Sequence, residues 1–240
     1  EVDLQTLQSR LYADVSQLVG NRQGYAFFSR FDNMVTITNG LDIDDHALIQ
    51  ESIANRYPVT ASMSVATDSS PVAALGRASE GLQRAGSAQD KGRREVLHGE
   101  PLSEGDRMDD DVQIAHFDVN DATGKYTDEL NEFDTFIHIE QAYAELMRYM
   151  RNAHDSLSFF VGGDNIISVC SALDREDYRD AIDHVSAAVD VELKVGVGQS
   201  KAAQAAGMAA KHALEVCRDE QLAVAFADRF EHSLVNEDDS

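Results

Sequence analysis

The chain has 240 residues, 43% of them hydrophobic, and carries 43 Asp and Glu against 20 Lys and Arg, a formal net charge of -23. That apolar content fills a real core and excludes a disordered chain, while no run nears the roughly 18 apolar residues that cross a bilayer. The excess of negative charge argues against nucleic acid or an anionic membrane as partner, because like charges repel. Only five of the 20 cationic residues are Lys. A surface so acidic and Lys-poor resembles proteins of salt-loving organisms, in which dense salt screens self-repulsion; an acidic face matched to a basic partner is the other reading. The opening Glu1-Val2-Asp3 has neither a basic-then-apolar leader nor an initiator Met, so we expect a cytoplasmic protein trimmed at its N-terminus. Cys170 and Cys217 lie far apart within apolar patterns. They are expected as buried thiols, not as a disulfide or part of a zinc cage.

Apolar residues at Leu4, Leu7, Leu11, Val15 and Leu18 step by three and four, which predicts an amphipathic helix. Tyr25 to Phe28 and Met34 to Thr38 predict two strands about Ser29-Arg30-Phe31-Asp32-Asn33. A helix over 44–56 follows, with Asp44 as its N-cap, then a strand over 58–66 and a helix over 70–85 opened by Ser70-Pro71. From Gly86 to Asp111 the chain is polar and punctuated by Gly, which reads as a linker with one short element near Val96-Leu97. Beyond it come a strand at 112–119, a helix at 133–150 and strands at 157–161 and 166–170 about Gly162-Gly163-Asp164-Asn165. A helix at 175–188, a strand at 191–197, an Ala-rich helix at 200–218 and a strand at 222–226 complete the series.

The order helix–hairpin–helix–strand–helix therefore occurs twice, and Asp-Asn stands at both hairpin tips. This predicts an α+β chain of two tandem ferredoxin-like domains with antiparallel sheets. The expected division is residues 1–98, a linker at 99–110, residues 111–229 and an acidic tail at 230–240. The first domain lacks the strand that opens the second, so a strand is expected to precede Glu1.

Two carboxylates carry the chemistry. Asp118 ends an apolar strand and is followed by Val119-Asn120-Asp121-Ala122-Thr123-Gly124, a turn whose N–H groups can face phosphate oxygens. Asp164 sits at a hairpin tip, and in a ferredoxin-like unit the first strand neighbours the central hairpin. The two can converge as a magnesium site, with phosphates supplying further ligands. Gly162 and Gly163 strip side chains from the tip and let a ligand approach. Ordinary turn chemistry is the competing reading for Asp164, and more so for Asp32 and Asn33, whose partner strand is not in the sequence. Arg30 can contact phosphate or solvent. Lys194 is either an edge-strand residue reaching for water or a phosphate contact. His116 reads as a packed strand residue, and His138, His154, His184 and His212 show no ligand spacing.

A strand ending in Asp118 together with a Gly-Gly-Asp-Asn hairpin resembles the palm-like superfamily of GGDEF diguanylate cyclases and class III nucleotidyl cyclases. Longer motifs narrow this: Leu7-Gln8-Ser9-Arg10-Leu11-Tyr12-Ala13-Asp14, Arg30-Phe31-Asp32-Asn33, Ile37-Thr38-Asn39-Gly40, Gln50-Glu51-Ser52-Ile53, Asn55-Arg56-Tyr57-Pro58, Gly86-Ser87-Ala88-Gln89-Asp90 and Gln113-Ile114-Ala115-His116 are similar to archaeal GTP cyclohydrolase III, in a haloarchaeal version. The resemblance spans nearly the whole chain. It implies hydrolysis of GTP at C8 with opening of the imidazole ring, a retained formyl group and a ribosyl monophosphate product. Pyrophosphate is removed and cleaved to two phosphates, and the product feeds flavin and deazaflavin synthesis. It implies Mg2+, activation by a monovalent cation such as K+, and assembly into homodimers or homotetramers.

The family's opening strand ends in an Ile-Asp-Asn-Tyr-Gly-Pro-Trp type motif, the first-half counterpart of Phe117-Asp118-Val119-Asn120; it is absent from this sequence, which leaves Asp32 as a half-site if the first half houses the GTP. The implied site has Asp32, Asp118 and Asp164 at metal and Arg30, Asn33, Asn120, Asn165 and Lys194 at substrate, with water activated by the metal attacking phosphorus and no general base assigned. A nucleotidyl cyclase and a non-catalytic nucleotide sensor are the alternatives; Asn165 in place of the Glu of GGDEF argues against the former.

Overall fold

The computed structural model describes residues 2–30, 32–86, 95–102, 111–119 and 130–227. Its first half runs α1 (Val2–Gly20), β1 (Tyr25–Arg30), β2 (Asn33–Ile37), α2 (Ile43–Arg56), β3 (Met63–Val65), α3 (Pro71–Arg84) and β4 (Leu97–Gly99). The second runs β5 (Val112–Val119), α4 (Glu132–His154), β6 (Leu157–Gly162), β7 (Asn165–Cys170), α5 (Arg175–Val189), β8 (Leu193–Ser200), α6 (Ala203–Glu220) and β9 (Val224–Phe226). The predicted elements are all present, and the boundaries move for local reasons. Asp42, not Asp44, caps α2: its carboxylate accepts from Asp45 N at 2.9 Å while Asp45 accepts from Asp42 N, a reciprocal capping box that leaves Asp44 in the first turn. The predicted strand over 58–66 contracts to Met63–Val65, the part that finds a partner in β4. The last helix starts at Ala203 because Ser200 is still paired with Val112 in the sheet.

The second half holds one five-stranded sheet in the order β6-β7-β5-β8-β9, with β5 at its centre and antiparallel to both neighbours, and β9 parallel to β8. The first half repeats the pairing in two pieces: β1 with β2 antiparallel, as β6 with β7, and β3 with β4 parallel, as β8 with β9. Among the described residues no strand stands between β2 and β3, where β5 stands in the second half, and neither strand buries a residue fully. The duplication extends to the helix caps. Leu41-Asp42-Ile43-Asp44-Asp45 and Leu173-Asp174-Arg175-Glu176-Asp177 open α2 and α5 with the same capping box.

Alternation along β5 feeds two cores. Ala115, Phe117 and Val119 face α4 and α5, where Leu146, Met150, Tyr178 and Val185 are buried. Ile114 faces the other way, toward Ala203, Ala206 and Ala210 of α6 and Phe27 of the first half. Phe27 stacks on Phe159 with ring centroids 4.4 Å apart, and Gln204 N donates to Gln23 O at 3.0 Å, so the first hairpin docks on the α6 side of the second sheet. A smaller core of Val15, Val19, Leu41, Ile49 and Ile53 lies beneath α1 and α2. Both cysteines are buried free thiols, and burial pushes Cys170 up to about 11.

One buried polar staple crosses the larger core. Gln113 donates to Leu173 O at 3.0 Å and accepts at Oε1 from Leu173 N at 2.9 Å and Tyr178 Oη at 2.8 Å. Gln113→Leu keeps the volume but orphans the buried Tyr178 hydroxyl and the half-buried N–H and carbonyl of Leu173, so urea denaturation is expected to show a loss of about 2–3 kcal/mol.

Candidate functional site

The ladder of β5 decides what meets Asp118. Asp118 is directly opposite Asn165 on β7 and Lys194 on β8. Residues directly opposite share a face, and so do residues two apart on one strand. Asp118, Asn165, Lys194 and His116 therefore lie on one face, the face that α6 covers. Lys194 is on an interior strand, flanked by β5 and β9, so the edge-strand reading does not apply to it.

The hairpin tip supplies the second carboxylate. Gly162 and Gly163 adopt φ of +112° and +64°, a region that side chains disfavour. The register slips between Phe160 and Gly162, which is the bulge that turns Asp164 back toward β5. Val119 N then donates to Asp164 O at 3.3 Å and ties the tip to the strand end. Asn165 Nδ2 donates to Asp164 Oδ1 at 2.9 Å, which leaves Asn165 Oδ1 to accept from His116 Nε2 at 2.8 Å. Burial pushes the His116 pKa down, and because Asn165 Oδ1 can only accept, Nε2 carries a proton. His116 is thus a positioning group for Asn165 and not simply a packed residue.

Asp118 is the buried member of the pair. Its side chain is 8% exposed, and Arg218 from the last turn of α6 reaches it with Nε 3.2 Å from Oδ2 and Nη2 2.8 Å from Oδ1. The second approach is misaligned, and Oδ1 is buried with no hydrogen bond. Burial raises the Asp118 pKa most; the Arg218 hydrogen bond opposes this, and the charge of Asp164 adds to the rise. A carboxyl whose pKa is raised on folding binds its proton more tightly folded than unfolded. Its contribution to stability therefore falls as pH climbs from the ordinary carboxylate value of 3.8 through the folded pKa, and above that it is a constant penalty. Asp118→Asn is expected to remove that penalty and flatten the stability profile over this window, as thermal unfolding at a series of pH values would show.

Asp32 and Asn33 repeat the tip in miniature. Asn33 Nδ2 donates to Asp32 Oδ1 at 2.7 Å, and the register slips between Phe28 and Arg30 as it does between Phe160 and Gly162. All three of Arg30, Asp32 and Asn33 are exposed. Asn120 lies outside the described residues. The structure thus brings together Asp118, Asp164, Asn165 and Lys194 and leaves Arg30, Asp32 and Asn33 at the twin tip. Of the other histidines, His184 stacks on Tyr149 at 4.4 Å and meets Glu145 Oε1 at 2.8 Å, and His154 packs edge-on against Tyr149, remote from the carboxylates in the fold.

Arg218 was not anticipated. It lies 100 residues from Asp118, and in sequence a cation ending a helix reads as a partner of the helix dipole. A divalent ion fits this site in one respect. Buried Asp118 Oδ1 accepts no aligned hydrogen bond and lies near a second carboxylate, and hard cations take such oxygens. Among the described residues no group of three or more His, Cys, Asp or Glu forms a cage, so phosphate and water would have to complete the shell.

Among the described residues no helix is long and apolar enough to cross a membrane. The family model of GTP cyclohydrolase III matches residues 1–227. GTP cyclohydrolase III of Natronomonas pharaonis is 72% identical over 95% of this chain and 90% of its own length. GTP cyclohydrolase III 1 of Halobacterium salinarum is 64% identical over 91% and 86%, and the Methanococcus vannielii GTP cyclohydrolase III is 41% identical over 91% and 81%. Of solved structures, the GGDEF domain of a Pseudomonas aeruginosa protein aligns with TM-score 0.42 and 14% identity over 50% of this chain and 83% of that one. The length of the family match and the identity to these relatives show that the chain belongs to the GTP cyclohydrolase III family.

Proposed function

We propose that the chain hydrolyses GTP, opening the guanine imidazole ring at C8 and releasing two phosphates, with the formylamino-pyrimidine ribosyl monophosphate as product. The family match over residues 1–227 carries this reading, and the convergence of Asp118 with the Gly162-Gly163-Asp164-Asn165 tip supplies a place for the triphosphate. Asp118 and Asp164 are the proposed ligands of Mg2+, which when bound supplies a Lewis acid for phosphorus chemistry. The side-chain-free tip lets phosphate oxygens approach the backbone. Lys194 offers a point charge to phosphate. Asn165, held by His116, presents an amide of fixed orientation to guanine or ribose. Asn120, and at the first tip Arg30, Asn33 and Asp32, are proposed as further substrate and metal contacts. We further propose K+ as activator, a homodimer or homotetramer, a cytoplasmic setting and a product destined for flavin and deazaflavin synthesis.

A nucleotidyl cyclase would use the same metal and triphosphate, but Asn165 stands where GGDEF has Glu. The full chain incubated with GTP, Mg2+ and K+ tests the proposal. A ring-opened monophosphate by mass, with two phosphates per turnover, is expected. A cyclic nucleotide with pyrophosphate, or GTP binding without turnover, would overturn it.

A further inference from the structure

The α6 side of the sheet already carries cations beside its two carboxylates. Asp118 and Asp164 bring two negative charges, and Arg218 and Lys194 bring two positive ones. Arg218 lies across both oxygens of Asp118. A divalent ion entering this arrangement meets a carboxylate that already has a cation.

We propose that Arg218 is a resident counter-cation for Asp118, competing with a divalent metal for the same carboxylate and yielding it when metal and triphosphate arrive together. The proposal rests on the reading that Asp118 holds the metal. Three observations support it. The carboxylate is the fixed partner: Asp118 is 8% exposed and locked between β7 and β8, whereas Arg218 is 49% exposed on a long stem in the last turn of α6. The grip is incomplete: Oδ1 has Nη2 at 2.8 Å yet accepts no hydrogen bond, so an oxygen remains for a metal. Finally, Asp118 and Asp164 lie close enough for their charges to act on one another, and the fork of Arg218 spans both oxygens of the buried one. The guanidinium offsets part of that carboxylate's charge in the resting protein. Once displaced, it becomes available as a five-donor fork for phosphate.

The test is Mn2+ binding to the full chain without nucleotide, read by electron paramagnetic resonance, with the Asp118→Asn variant defining the background from the acidic surface. Arg218→Met is expected to tighten Mn2+ binding about tenfold, within the usual range for two linked ligands. Arg218→Lys, which keeps a charge but not the fork, is expected to fall between, and Arg218→Met with Asp118→Asn to return to background. Circular dichroism checks that each variant is folded. Equal binding by the parent and Arg218→Met, or weaker binding by the variant, would overturn the competition while leaving Asp118 as a metal ligand. Binding no better than the Asp118→Asn background in every protein, even with a non-hydrolysable GTP analogue, would sink the metal reading and the competition with it.

Discussion

Asp118→Asn is expected to lower phosphate release from GTP by about 10²–10³-fold, the usual cost of removing one group that stabilises developing charge in a dry site. The substitution keeps the shape and one acceptor oxygen but turns the other oxygen into an NH2 donor and deletes the charge. A neutral amide is a poor ligand for a hard cation, and it offers Arg218 no ion pair. The fold should survive. The ionised carboxylate is held against the preference of its surroundings, since burial and Asp164 outweigh the help of Arg218. The expected signature is therefore a dead or nearly dead enzyme with an unchanged or higher melting temperature, a separation typical of sites whose residues are kept for chemistry at the expense of stability. Asp32→Asn is the informative companion. The first tip has the same Asn–Asp hydrogen bond, but its Asp32 is exposed where Asp118 is buried. A loss there as large as at Asp118 would move turnover to the first half.

Much of this site is legible in the sequence, and the reason is local. Gly162-Gly163 needs positive φ twice, which demands a turn wherever the chain goes. The apolar run 112–117 ahead of Asp118 predicts a strand end by periodicity alone. The repeat was visible for the same reason, because both halves use the same tip and order of elements. The missed features depend on partners. The cap of α2 went to Asp42 over Asp44 because the choice is made by which carboxylate reaches Asp45 N. His116 reads in sequence as a packed strand residue because its role exists only through Asn165, 49 residues away and brought alongside by the β5–β7 ladder.

Arg218 is the clearest case of a residue that sequence spacing cannot expose. Nothing within α6 distinguishes it from any basic residue in a last turn. Its role follows from how closely α6 lies on β5 and β8, and that closeness is written in glycines on a different element. Gly196 and Gly198 replace side chains on the sheet face with bare backbone, and the Ala-rich face of α6 settles against them. Sequence analysis reads such glycines only as weak strand positions.

That contact yields the second large expected effect. Gly198→Val should cost more than about 3 kcal/mol, beyond the common range for single substitutions and in the class of severe overpacking. A Cβ at Gly198 would stand 2.3 Å from Ala206 O, 2.4 Å from Ala210 N and 2.7 Å from Ala209 Cβ. Two of those three are helix backbone, so no rotamer change relieves the clash and α6 must lift as a body. The glycines are not there for backbone conformation, since neither has a positive φ; what matters is the missing side chain. Gly76 is the control: a Cβ there meets nothing within 4 Å, and within α3 Gly76→Ala should gain about 0.5–1 kcal/mol from helix propensity. Urea midpoints for the two variants should therefore move in opposite directions. Lifting α6 also draws Arg218 from Asp118, so Gly198→Val, where it still folds, should bind Mn2+ more tightly than the parent. The same shift at a site 20 positions from Arg218 in sequence would show that helix packing, and not the arginine's charge alone, sets how firmly the carboxylate is held.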